Sequence, residues 1–194
     1  ADHYLGRNLD LEYSYNETIT VTPRNYPFHF RCGTDITSHH AIIGVAFVVD
    51  NYPLYYDAVN EKGLGIAGLN FPGNADYKPE EKGRDNIAPF ELIPWILSQC
   101  SSVSEAETLL SRINIINTNF SDTLPLSPLH WMIADKNRAI TVEAVKDGVK
   151  VFENPVHVLT NNPGFDMQMF SLNNYMSCSA KPPLNSFSTH LNLE

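Results

Sequence analysis

The stretch Ala41-Ile42-Ile43-Gly44-Val45-Ala46-Phe47-Val48-Val49 is an unbroken apolar run with the β-branched density of a strand buried on both faces. It is far short of the roughly 18 apolar residues that a membrane-spanning helix needs. Two further strands, Leu54 to Val59 and Leu64 to Leu69, flank Glu61-Lys62-Gly63, so the chain should turn back on itself through a glycine-containing hairpin. Working outward towards the start, Ile19 and Val21 alternate with threonines over Glu17 to Thr22 before Pro23 ends the ladder. Tyr26 to Phe30 alternates again, and His3 to Asn8 reads as a strand. After the hairpin the period changes. Ala88 to Cys100 is apolar at helical spacing, with Pro94 required in its first turns. Ser102-Val103-Ser104-Glu105 is a capping-box pattern opening a helix that presents Ala106, Leu109, Leu110 and Ile113 on one face. Strands return at Leu129–Ala134 and Ala139–Ala144 around a loop at Asp135–Arg138. Two more follow at Val149–Phe152 and Val156–Thr160, and Phe165 to Met176 is helical by period. Many strands with two or three helices predict an α+β fold.

The 194 residues can bury a substantial core as a single domain. Thirteen Lys+Arg against 22 Asp+Glu leave a formal net charge of -9. That balance opposes binding to a phosphate backbone or to an anionic membrane surface. With 43% hydrophobic and 18% charged residues, the composition is that of an ordinary globule. Cys32, Cys100 and Cys178 are widely spaced and odd in number. This predicts neither a metal site nor a disulfide framework, and points to a reducing, cytoplasmic compartment. The opening Ala1-Asp2-His3 lacks the basic and apolar regions of a signal peptide.

Motif rules find little chemistry. Gly63-Leu64-Gly65-Ile66-Ala67-Gly68 spells G-x-G-x-x-G, but inside a hairpin, where close backbone packing explains it better than a dinucleotide. His39-His40 should lie in an exposed loop, and Trp95 and Trp131 should fill the core. Arg7 and Asp10 stand in one short segment, as a surface ion pair or as groups that tune a thiol and hold an amine. Asn70 and Asn161 each follow an apolar strand, as turn formers or as amide donors to an oxyanion. Asn162-Pro163 restricts the backbone just beyond Asn161. The pattern alone leaves both alternatives open.

Six motifs occur together and in order: Gly6-Arg7-Asn8-Leu9-Asp10, Val21-Thr22-Pro23-Arg24-Asn25-Tyr26, Asn60-Glu61-Lys62-Gly63-Leu64, Ala67-Gly68-Leu69-Asn70-Phe71-Pro72-Gly73, Leu129-His130-Trp131 and Leu159-Thr160-Asn161-Asn162-Pro163. In these the whole chain resembles the choloylglycine hydrolase family, most closely its bile salt hydrolases. The resemblance implies an N-terminal nucleophile hydrolase fold, two antiparallel sheets packed between helical layers. It implies cleavage of the amide that joins a bile acid to glycine or taurine. The nucleophile would be a cysteine exposed as the first residue, its own α-amine carrying the proton. Arg7 would activate the thiolate, Asp10 would hold the amine, and Asn70 and Asn161 would stabilise the oxyanion. Leu9, Tyr13, Tyr15, Val49, Leu124 and Leu126 would line the steroid pocket. No metal or cofactor is implied. The partners implied are conjugated bile acids, with no nucleic acid and no membrane, and the assembly is a homotetramer.

The family's nucleophile falls before Gly6-Arg7, and none of the three cysteines occupies that place. A further site arginine and the last strands and helices of the family also find no counterpart. The expectation is therefore one domain over residues 1–194, incomplete at both ends and inactive by itself. Two alternatives stand beside it. Penicillin V acylase shares the fold and nucleophile, although that branch commonly carries tyrosine in the place of Asn70. The other is a non-catalytic sterol-binding module or inert fragment.

Overall fold

The computed structural model describes residues 3–10, 12, 14–181 and 190. Nine strands and three α-helices follow in the order β1 (Thr18–Thr22), β2 (Ile42–Val49), β3 (Tyr52–Asn60), β4 (Gly65–Asn70), β5 (Asp85–Ile87), α1 (Leu92–Gln99), α2 (Val103–Leu110), β6 (Ile113–Ile115), β7 (Leu129–Ala134), β8 (Ala139–Val145), β9 (Gly148–Glu153) and α3 (Phe165–Leu172). Seven strands form one antiparallel sheet in the order β1-β2-β3-β4-β7-β8-β9. The class is α+β, with two helices carried between β4 and β7. The described residues hold one large antiparallel sheet, and the other strand pair, β5 with β6, is a short parallel ladder.

Residues paired across a ladder share a face. Ala58 pairs with Ile66, Ile66 with Ile133, Ile133 with Ile140, and Trp131 with Val142. All of these are buried in one core with Leu92, Ile93, Trp95, Ile96 and Leu97 of α1. Helix α1 therefore lies across this face, over β2, β3 and β4. Pro94 sits in its first turn, where the missing N–H costs no ladder bond. At Gly44 an added Cβ would come within 2.1 Å of the Asp57 carbonyl oxygen, so the β2–β3 approach depends on glycine there. Gly63 takes a positive φ of 87° in the β3–β4 turn.

Asn60 locks this turn to the helix. Its Oδ1 accepts from the Lys62 and Leu64 amides, both at 3.1 Å. Its Nδ2 donates to the Leu97 and Cys100 carbonyls at 2.8 and 2.7 Å, where the end of α1 leaves acceptors unpaired. Glu61 adds an outer tie: Arg24 Nε donates to its two oxygens at 2.9 and 3.0 Å, and the Ala41 amide donates to Oε1 at 3.0 Å.

Several sequence expectations are corrected. His3–Asn8 forms no strand, because no described strand pairs with it. Val156–Thr160 is a turn and an irregular segment, not a strand. His157 has a φ of 55°, and Asn154 Nδ2 donates to the Val158 carbonyl at 3.0 Å, giving that oxygen a side-chain partner in place of a ladder. Tyr26–Phe30 contributes a single bridge, Phe28 with Ile36. Ile113 belongs to β6 and not to the helix before it. The cap is confirmed at Ser102, whose side chain accepts from the Glu105 amide, while Glu105 reaches one residue further, to the Ser101 amide.

Replacing Asn60 by Asp should remove both donors to the end of α1 and set a carboxylate against two carbonyls. The expected loss is roughly 2–4 kcal/mol, read from chemical denaturation. The Arg24 guanidinium, with the Ala41 amide, holds the Glu61 carboxyl down at about 2. A depressed carboxyl stabilises the fold above its ordinary 4.5 and loses that effect as pH falls towards 2. Melting temperature should fall over this interval less steeply in Glu61→Gln than in the unmodified protein.

Candidate active site

Arg7 is held by the rim of the sheet rather than by a strand of its own. Its Nη2 donates to the Gly68 carbonyl at 2.8 Å, and Nη1 lies 3.6 Å from Asp57 Oδ2. Burial lowers the pKa of Arg7, opposed chiefly by the charge of Asp57. Burial likewise raises Asp57, opposed by the charge of Arg7. A guanidinium remains cationic under this pull, so a fixed positive charge sits against the end of β4. Its Nε and Nη1 are buried and find no hydrogen-bond partner among the described residues. Donors in that state favour an anion placed beside them.

Asn70 ends β4, and Asn161 lies on the loop before α3. Side chains bind the two segments together. Asn162 Nδ2 donates to the Pro72 carbonyl at 3.0 Å, and Asn74 Nδ2 donates to Asn162 Oδ1 at 3.1 Å. Gln168 of α3 donates through Nε2 to the carbonyls of Asn161 and Pro163, at 3.1 and 2.6 Å. The chain beyond Asn161 is thus held by Asn74, Asn162 and Gln168, of which sequence reading picked out only the Asn162-Pro163 step.

Arg7, Asp10, Asn70 and Asn161 all line one cavity of about 630 Å³. Leu9, Tyr15, Leu124 and Leu126 line it as well. Val49 does not. It pairs with Tyr52 at the turn end of β2, and Phe47, two residues earlier on the same side of the strand, reaches the cavity in its place. Tyr13 lies outside the described residues. Leu54, Phe90, Ile93, Phe120 and Trp131 complete much of the apolar wall, and no periodicity marked them as a group. Phe90 and Phe120 meet edge to face at 5.2 Å, with the Arg31 guanidinium 5.7 and 5.3 Å from their ring centres. Arg31 Nη2 also donates to the Phe120 carbonyl at 2.7 Å. One basic side chain therefore braces this wall by cation–π and hydrogen-bond contact. The cavity combines a cation, a carboxylate and two primary amides with a broad apolar lining. That set suits a ligand with a large apolar body and a polar linkage.

A family model described as linear amide C–N hydrolases, choloylglycine hydrolase family, matches residues 1–194. The chain belongs to the choloylglycine hydrolase family. It is 56% identical over 193 residues to a bile salt hydrolase/transferase of Lactiplantibacillus plantarum, covering 100% of this chain and 60% of that protein. It is 42% identical over 174 residues to a conjugated bile acid hydrolase of Lactobacillus gasseri, covering 89% and 55%. The chain thus spans somewhat over half the length of these curated relatives. A crystal structure of a conjugated bile acid hydrolase variant from Clostridium perfringens superposes with a TM-score of 0.84 at 38% identity, over 90% of this chain and 54% of that one. A penicillin V acylase from Agrobacterium tumefaciens shares the fold, with a TM-score of 0.70 at 20% identity over 87% and 51%.

The remaining sequence candidates fall outside the cavity. His39 is buried, not exposed as expected. Its ring nitrogens contact the His40 and Tyr26 carbonyls at 2.7 and 2.8 Å, contacts that the approach of its loop to the core creates. Among the described residues no group of three His, Cys, Asp or Glu could hold a metal ion. No helix among them is long and apolar enough to cross a membrane. The Gly63–Gly68 run forms the hairpin turn and β4, and the Gly68 carbonyl serves as the acceptor for Arg7.

Burial pushes the Cys100 thiol up to about 12. At Cys32, partial loss of hydration and the Glu80 carboxylate, 3.1 Å from Sγ, push the thiol up to about 11 although the residue as a whole is exposed. Alkylation of Cys32 should accordingly be slow at pH 7 and rise about tenfold per pH unit until the thiol titrates. Peptide mapping after iodoacetamide treatment reads this directly, and Glu80→Gln should speed the reaction.

Proposed function

We propose that the protein containing this chain is a bile salt hydrolase. It would cleave the amide of glycine- or taurine-conjugated bile acids through a cysteine that precedes Gly6-Arg7. The observation that carries the reading is the shared cavity. Arg7, Asp10, Asn70 and Asn161 line it beside Leu9, Leu124 and Leu126, so polar groups suited to amide chemistry face the same space as an apolar wall suited to a sterol. The names of the relatives support the same substrate class. In this mechanism Arg7 favours the thiolate by its fixed charge, and Asp10 holds the cysteine's α-amine. The thiolate attacks the amide carbon, and the carbonyl electrons move to oxygen, where the Asn70 and Asn161 amides donate hydrogen bonds. The C–N bond then breaks, the amine passes a proton to the departing glycine or taurine nitrogen, and a thioester remains. Water hydrolyses the thioester, with the amine accepting its proton, and the bile acid leaves. Cys32, Cys100 and Cys178 play no part, since none lines the cavity.

The same reading gives one domain over residues 1–194 as part of a longer whole. It places the protein as a homotetramer in a bacterial cytoplasm, supported by the bacterial sources of its relatives and by the family resemblance. The charge of -9 fits a protein that avoids polyanions.

The test is turnover of taurocholate, glycocholate and penicillin V by the purified full-length protein of verified mass. Conjugate cleavage abolished by thiol alkylation is the expected result. Faster cleavage of penicillin V would replace the reading by an acylase, and bile acid binding without any turnover would replace it by a binding module. Asn161→Ala should lower kcat by about 100-fold or more, the scale of one lost oxyanion donor.

A further inference from the structure

Beneath the two asparagine loops lies a buried polar pair that the mechanism does not use. His130 of β7 and Glu143 of β8 face each other across the ladder, on the face opposite Trp131 and Ile133. His130 is 0% exposed and Glu143 2%. Their contact runs between Nδ1 and Oε1 at 3.2 Å, a hydrogen bond between imidazole and carboxyl. Burying a carboxylate here demands further donors, and the Phe165 amide supplies one to the same oxygen at 2.9 Å. Gly164 closes the site. A Cβ there would lie 3.5 Å from Glu143 Oε2 and 3.9 Å from the Phe71 ring, ordinary contact distances, so the loop passes close over both. On the other side Phe71, the residue after Asn70, stacks on the imidazole at 4.2 Å with planes 6° apart.

The pair therefore touches both segments that bear the cavity amides. Its imidazole seats the chain at Asn70 through Phe71, and its carboxylate seats the chain at Asn161 through Gly164 and Phe165. We propose that His130 and Glu143 are positioning residues that set the placement of the Asn161 amide relative to that of Asn70. The proposal rests on the bile salt hydrolase reading for its catalytic consequence but not for its structural one. A water-exposed loop held only by surface bonds would let Asn161 drift, and small misplacements of a transition-state donor cost rate steeply. A buried hydrogen-bonded anchor resists that drift, because breaking it leaves polar groups of both residues unsatisfied away from water.

The experiment compares Glu143→Ala, Glu143→Gln and the unmodified sequence in the full-length protein. The side-chain amide resonances of Asn70 and Asn161 are assigned by their loss in Asn→Asp variants. In Glu143→Ala the Asn161 resonance should shift, and it should return in Glu143→Gln, which keeps the oxygen that receives the Phe165 amide. Conjugate hydrolysis should show kcat reduced about tenfold or more in Glu143→Ala, with KM changed less than about threefold, and recovery in Glu143→Gln. His130→Phe keeps the stack on Phe71 while removing the bond to Glu143, and it carries the test if Glu143→Ala does not fold. It too should shift the Asn161 amide. An unmoved Asn161 resonance in a folded variant, or an unchanged kcat where the wild type turns over, would overturn the proposal. If the unmodified protein cleaves no conjugate and the Asn161 resonance still responds, the positioning stands and the bile salt reading fails.

Discussion

The four hydrogen bonds of the Asn60 side chain connect the sheet to its helical layer. One amide group closes the β3–β4 turn through its oxygen and receives the carbonyl end of α1 through its nitrogen. All of this occurs in a buried position, where water could not substitute for a lost partner. The consequence is geometric. With the C-terminal end of α1 fixed to the hairpin turn, Phe90, just before the helix, and Ile93, in its first turn, reach the cavity at the other end of the β3–β4 pair, where β3 begins and β4 ends. Asn60 thus ties the C-terminal end of α1 to the hairpin turn, and the first turn of the same helix contributes Ile93 to the cavity wall.

The polar wall depends on a second kind of constraint, buried charge with limited company. Arg7 gives one hydrogen bond to the Gly68 carbonyl and faces Asp57 at a distance too long for a tight bond. Of the two, only Arg7 lines the cavity, so the guanidinium borders that space while Asp57 lies behind it. The same logic separates Arg7 from Arg24 and Arg138. Arg24 is exposed and bound to Glu61, Arg138 is partly buried and bound to Glu107 and Glu153, and both serve the scaffold. Arg31 has a third role: it braces an aromatic wall by its charge over two rings.

Elements whose side chains bury themselves within their own ladder or helix were legible from residues 41–70, 92–110 and 129–153. There the apolar runs mark the strands and the block of α1, although β2, read as buried on both faces, leaves Ile43 and Val48 45% and 44% exposed. His3–Asn8 and Val156–Thr160 misled because alternation measures side chains and not backbone partners. Val156 and Val158 are 39% and 59% exposed, and the backbone there is served by Asn154 rather than by a neighbouring strand. The parallel β5–β6 pair, three residues in each strand, is too short to carry any period at all.

The candidate site divides in the same way. The family resemblance carried by the ordered motifs singled out Arg7, Asp10, Asn70 and Asn161, whereas the residue pattern by itself left them open as an ion pair and turn formers. That these four, some 150 positions apart in sequence, border one space is decided only by the fold, as are Phe47 in the place of Val49 and Phe120 braced by Arg31. The physical reason is the range of the forces involved. Turn chemistry, capping and alternation act between residues a few positions apart and are written in the chain. A cavity wall, a buried His130–Glu143 anchor or an arginine left with unfilled donors arises where distant segments exclude water together, and that exclusion belongs to the packed structure alone.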